Sequence, residues 1–193
     1  MATVDSDLTL TLVGIAIAFS ALAFGVLAWL GLLYVPDKLR LELLERPFGD
    51  VDIVNLRPTP ARFFHIAVRN TDERRVARNC YAYLQSLKDA DNGEELVKQT
   101  AELQWRGYPG HANVSILPNS FRQFDAFWVF KSDPERFIPN AILSSTELLP
   151  TAKKTGDLLA TYVVICDNYK SRTVRARIDL DKDLAKVGLH LLS

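Results

Sequence analysis

A chain of 193 residues is long enough for one domain-sized core plus an additional segment, since a single core typically takes roughly 100–150 residues. Its 23 Lys and Arg balance 23 Asp and Glu. No global field therefore draws it to nucleic acid, which is not an expected partner, and any charged ligand must be met by a local patch.

The mean hydropathy of +0.02 averages two unlike parts. Residues 1–7 form a short tail whose charged side chains, Asp5 and Asp7, are both acidic. From there to Asp37 no residue is charged, and 8–35 is mostly Leu, Ala, Val, Ile, Phe and Gly, with Trp29 and Tyr34 near its end and Pro36 as a helix stop. At about 1.5 Å per residue the run exceeds the roughly 30 Å hydrocarbon core of a bilayer, so a transmembrane helix is expected. A cleavable signal peptide would need a basic leader and a shorter apolar core, and the acidic start argues against one. Thr11, Gly14, Ala18, Ala21, Gly25 and Ala28 recur at alternating spacings of three and four. They make a stripe of small residues, a candidate seam for another copy or a different membrane helix. Lys38, Arg40 and Arg46 follow the run while the tail before it is acidic, a bias that predicts a cytoplasmic domain with the N-terminus outside.

Past Pro36 the pattern turns to alternation. Leu39, Leu41 and Leu43 share one face of an extended segment, although leucine also favours helix. Phe64, Ile66 and Val68 form a clearer strand that stops at the turn cluster Arg69-Asn70-Thr71-Asp72. Cys80, Ala82 and Leu84 line one face of the next strand and Tyr81 and Tyr83 the other; Asp91-Asn92-Gly93 is a turn. Leu103 and Trp105 share a face, Tyr108-Pro109-Gly110 closes that segment, and Val114 with Ile116 marks another strand. After Pro118-Asn119-Ser120, the stretch Phe124 to Phe130 is apolar on both faces, as a central strand should be. Residues 132–155 read as a long connection with a short helix around 142–149. Leu158 to Cys166 is a β-branched run, and Val174, Ala176, Ile178 and Leu180 alternate with Arg175, Arg177 and Asp179. Residues 183–193 form a tail, read as a final strand or a short helix. Seven or so strands with turn signals and no βα spacing predict an all-β sandwich over 36–182.

The segment Phe64-His65-Ile66-Ala67-Val68-Arg69-Asn70, a polar turn, and Val76-Ala77-Arg78-Asn79-Cys80 resemble the second and third strands of immunoglobulin-like sandwiches in uncharacterised prokaryotic membrane-anchored proteins. The pattern is similar to CARDB adhesion-type domains. Leu103-Gln104-Trp105, Phe124-Asp125 and the Tyr162-to-Cys166 strand follow in the expected order, so the resemblance covers about residues 38–182, with 132–155 as a departure. It implies an interaction or architectural module and brings no catalytic residues.

The residues carry little that points to chemistry. His65, His111 and His190 are far apart and have no second ligand at metal spacing, so no metal or cofactor is expected, and His65 reads as a structural histidine. No nucleophile elbow, phosphate-binding loop or paired-carboxylate signature is present, and the chain is expected not to be an enzyme. Cys80 and Cys166 could form an inter-sheet disulfide packed on Trp105, as in antibody domains; the preferred reading is two buried free thiols, consistent with a cytoplasmic domain. Arg74, Arg75 and Arg78 gather at one turn, and Arg172, Arg175 and Arg177 line the last hairpin. Together these form a basic patch that could meet lipid headgroups or an acidic partner, with a solvated face as the plainer reading. Asn113-Val114-Ser115 matches a glycosylation sequon. The expected function is a non-catalytic, single-span membrane protein presenting a β-sandwich for protein binding or architecture. An accessory subunit of a membrane complex, and a sensor binding a ligand near 132–155, are the alternatives.

Overall fold

The computed structural model of the chain describes residues 17, 19–26, 38–43, 50–55, 57–97, 99–108, 111–141 and 156–192. The chain divides into two units, Met1–Pro36 and Asp37–Ser193. In the first, Ile17 and residues 19–26 are helical and exposed. Among the described residues no helix is long and apolar enough to cross a membrane; most of the run expected to span lies outside them. Of the small-residue stripe, Ala21 and Gly25 sit in the exposed helical segment, and a Cβ on Gly25 would meet nothing within 4 Å. Thr11, Gly14, Ala18 and Ala28 lie outside the described residues.

The regular elements of the second unit are all strands among the described residues. Its strands are β1 (Leu39–Leu43), β2 (Asp50–Asn55), β3 (Arg57–Asn70), β4 (Ala77–Asp89), β5 (Ala101–Leu103), β6 (Val114–Ile116), β7 (Phe121–Phe130), β8 (Asp133–Ile138), β9 (Gly156–Cys166), β10 (Tyr169–Leu180) and β11 (Gly188–Leu192). A five-stranded sheet runs β1-β3-β7-β8, with β2 also on β3. A six-stranded sheet runs β11-β10-β9-β4-β5, with β6 also on β4. Every pairing is antiparallel.

The described strands outnumber the seven or so read from the sequence, and each extra one has a reason. β2 and the first half of β3 were hidden by Arg57-Pro58-Thr59-Pro60, because proline removes a ladder donor and reads as a breaker. Here β7 joins β3 only from Ala61 onward, so among the described residues the prolines fall where one side of β3 carries no ladder. Residues 133–138, part of the expected connection, form β8, whose second residue is Pro134 and which lies at the end of the described sheet order. The helix expected around 142–149 lies outside the described residues. The tail supplies β11, hydrogen-bonded along Arg175 to Asp179 of β10, so it belongs to the sheet.

The two sheets share one core. Phe124 of β7 meets Tyr162 of β9 with ring centroids 5.9 Å apart, and Trp105 stands edge-on to Phe124 at 5.8 Å. All three are fully buried, and side chains of this size each hide about 150–250 Å². The segment after β5 changes sheets: Ala101–Leu103 pairs with β4, whereas the Gln104 carbonyl accepts the Asp125 amide at 3.0 Å and the Arg106 amide donates to the Gln123 carbonyl at 2.9 Å. That crossing ties β4 to β7 along one side of the core.

Cys80 and Cys166 are joined as a disulfide with Cα atoms 4.1 Å apart. This corrects the free-thiol reading. It also differs from the antibody arrangement, because β4 and β9 are neighbours in one sheet and Tyr81 faces Ile165 in the adjoining register position. The bond staples two strands of the six-stranded sheet to each other.

Candidate functional site

The outward face of the six-stranded sheet carries an apolar surface where strand alternation leads one to expect polar residues. Tyr81 lies opposite Ile165 and Tyr83 opposite Val163, and the two tyrosine rings stack with centroids 6.3 Å apart. Ile165 is 45% exposed, and Leu159, further along β9 on the same face, is 38% exposed. Tyr83, Gln85, Thr100, Val163 and Ile165 border a shallow depression of about 270 Å³. Beside it, burial and then the charge of Glu102 push the Tyr83 phenol above its usual range. Burial also raises the Glu102 carboxyl, whose Oε1 is enclosed without a hydrogen-bond partner among the described residues. These residues were missed as a site in the sequence, although Leu158 to Cys166 showed the signal: a strand apolar on both faces whose outer face needs a cover.

The predicted basic patch is split by the fold. Arg175 and Arg177 point outward from β10, and Arg177 is paired with Asp157 and with Asp179. Arg172 falls on the opposite face of β10 and donates to the Leu39 carbonyl at 2.7 Å. Arg74, Arg75 and Arg78 are exposed at one end of the sandwich, in and just after the turn between β3 and β4.

Asn70 organises that end. Fully buried, it donates from Nδ2 to the carbonyls of Arg75 at 2.7 Å and Ile116 at 3.1 Å, while its Oδ1 accepts the Asp72 amide at 3.0 Å. The Asp72 carboxylate accepts the amides of Arg74 and Arg75, and the Arg74 amide in particular holds its pKa below the ordinary value. The Thr71 amide donates to the Lys38 carbonyl at 3.1 Å, and the Asn119 amide to the Asp72 carbonyl at 3.2 Å. The Tyr169 hydroxyl donates to the Arg75 carbonyl at 3.2 Å, and Asn168 bonds both Arg78 and Val76. Asn79 and Asn119 take up left-handed φ angles of 46° and 52°, a conformation asparagine tolerates better than most residues. The turn is thus held to the entry of β1, to the β6–β7 turn and to the β9–β10 hairpin.

The polar residues of the five-stranded sheet behave oppositely. His65 and Asp125 face each other across β3 and β7, with Nδ1 2.6 Å from Oδ1, and both residues are buried. Asn140 shields the pair and donates to Asp125 Oδ2 at 2.8 Å. His65 is 5% exposed, and its ring stacks on Phe63 with centroids 6.4 Å apart.

No family model and no curated protein matches the chain. Among solved structures it is similar to Northeast Structural Genomics Consortium target SoR45, at 14% identity and a TM-score of 0.31, covering 81% of this chain and 86% of that one. A likeness at that level defines neither a shared fold nor a shared activity, so the functional reading rests on the surfaces described above.

Proposed function

We propose that the chain is a non-catalytic, single-pass membrane protein that presents an immunoglobulin-like β-sandwich as a protein-binding or structural module. The exposed surface of Tyr81, Tyr83, Val163 and Ile165 carries this reading. Protein-binding surfaces are enriched in aromatic side chains around an apolar centre, and an uncovered aliphatic strand face otherwise favours self-association. The uncharged run from 8 to 35 supports the anchor. Exposed Ala21 beside open Gly25 favours a second reading, an accessory subunit held by its helix.

Purification of the full chain in mild detergent tests both. On the module reading Ile165→Lys loses the co-purifying partner and Gly25→Leu keeps it. On the subunit reading Gly25→Leu loses it, whereas leucine at Val26 does not. A partner indifferent to Ile165→Lys counts against the sheet face as the binding surface.

Two cues bear on orientation. The Lys38, Arg40 and Arg46 bias favours the cytoplasm, whereas disulfides persist mainly in oxidising compartments. We give the disulfide more weight, because a long domain translocates largely regardless of its charge. The domain then lies on the oxidising side of the membrane. Protease added to intact cells should digest it; full protection returns it to the cytoplasm.

A further inference from the structure

We propose that the end of the sandwich built around Asn70 is a lipid-docking surface. There, Lys38, Arg74, Arg75 and Arg78 engage phospholipid phosphates while Leu117 and Phe121 enter the headgroup layer. The inference rests on the membrane-anchor reading above.

Three observations converge on this end. Leu117, in the turn after β6, is 54% exposed and Phe121, at the start of β7, is 46% exposed. Hydrogen bonds place both beside the Arg74–Arg75 turn: the Asn119 amide reaches the Asp72 carbonyl, the Ser120 carbonyl takes the Asn70 amide, and Ile116 pairs with Ala77. Bulky exposed apolar side chains on a turn that adjoins an arginine-bearing turn suit an interface whose outer layer is anionic and whose inner layer is hydrocarbon.

Basic side chains outnumber acidic ones at this end among the described residues. Lys38, Arg74, Arg75, Arg78 and Lys170 are exposed. The carboxylates beside them are Asp72, which accepts backbone amides, Glu73, and Asp167, which accepts the Asn79 side-chain amide at 2.6 Å. Exposed arginine and lysine side chains in such a cluster suit the phosphates of anionic phospholipid headgroups.

The course of the chain supplies the third observation. Lys38 stands three residues after Val35, where the expected span ends in the sequence. The Lys38 carbonyl takes the Thr71 amide at 3.1 Å, so the end built around Asn70 is the one at which the chain enters β1. The Asp91-Asn92-Gly93 turn belongs to the opposite end, where Ala90 bonds Asp157 at the start of β9.

The test uses the full chain in lipid nanodiscs, with amide hydrogen exchange followed by mass spectrometry. In discs containing phosphatidylglycerol, peptides covering 71–76 and 117–121 should exchange at least about fivefold more slowly than in pure phosphatidylcholine discs, while the 90–95 turn is unchanged. Arg74→Glu with Arg75→Glu should restore the faster rates. Phe121→Ser, which leaves the charges in place, should reduce protection in both lipids. Equal exchange of the two loops in both lipids, with the chain seated in the discs, overturns the docking surface alone. A chain that elutes apart from the discs overturns the anchor reading and this inference with it.

Discussion

The outward faces of the two sheets invert the usual rule in opposite ways. On the five-stranded sheet, a histidine and a carboxylate that would ordinarily face water are buried, His65 at 5% and Asp125 at 8% exposure. On the six-stranded sheet, aliphatic and aromatic residues that would ordinarily be covered stand open, with Ile165 at 45%. The two departures differ in energy. The buried imidazole and carboxyl are held 2.6 Å apart, with Asn140 donating to the second oxygen, so the pair is a matter of folding. An exposed isoleucine leaves folding nearly untouched and is available for binding. Polar residues need not mark a reaction centre, nor apolar ones a core.

The sharpest way to break this contrast is to remove one member of the buried pair. Asp125→Ala leaves His65 enclosed opposite an apolar gap and the Asn140 amide without its acceptor. We expect a loss of about 3–5 kcal/mol in urea unfolding of the full chain, the range for orphaning one side of a buried pair. A loss below about 1 kcal/mol would mean that water reaches the site and that the pair behaves as a surface one.

Next in size is the disulfide, which holds β4 against β9 beneath the open face. Its cysteines are 86 residues apart, and a disulfide typically stabilises by about 2–4 kcal/mol, more for longer loops. Cys80→Ala with Cys166→Ala, compared with wild type plus and minus reductant, should lower the unfolding midpoint in each case. If reductant leaves the wild-type midpoint in place, the six-stranded sheet is held by its ladders and core alone.

A smaller effect, of opposite sign, is expected inside the core. The Tyr162 hydroxyl is buried with no hydrogen-bond partner among the described residues, and burial raises its pKa. Tyr162→Phe removes an unsatisfied polar group and keeps the ring against Phe124, so it should stabilise by about 1 kcal/mol. Destabilisation by the same amount would reveal an acceptor for that hydroxyl.

The smallest shift should come from the open face itself. Ile165→Ser is expected to stay within about 0.5 kcal/mol of wild type in the same urea series. A loss comparable with that of Asp125→Ala would show that this face is covered in the folded protein, and the contrast between the two sheets would disappear.

Much of the all-β character was readable in the chain because period-two alternation is a local property. Cys80, Ala82 and Leu84 share a face and are fully buried, as their spacing predicts, and the same holds for Leu103 with Trp105 and for Ala176 with Ile178. The turns at Gly93 and Asn119 were readable for a similar reason: both positions take up left-handed φ angles, which glycine and asparagine accommodate. Local signals failed where proline stood at a sheet edge, in β2–β3 and β8. Whether a missing donor matters there depends on which side of the strand is paired, and that is not encoded locally.

The sequence alone determined the charge balance, the uncharged run before Pro36, and which side chains alternate within each clear strand, because these depend on composition and on neighbours one to four residues apart. Only the tertiary structure decided which distant residues meet. It joined Cys80 to Cys166 within one sheet, set His65 against Asp125, separated Arg177 from Arg74, Arg75 and Arg78, and gathered Lys38, Asn70 and Asn119 at one end. Each of these contacts depends on strand order and register across tens of residues, and those follow from how the two sheets fill a common core around Trp105, Phe124 and Tyr162.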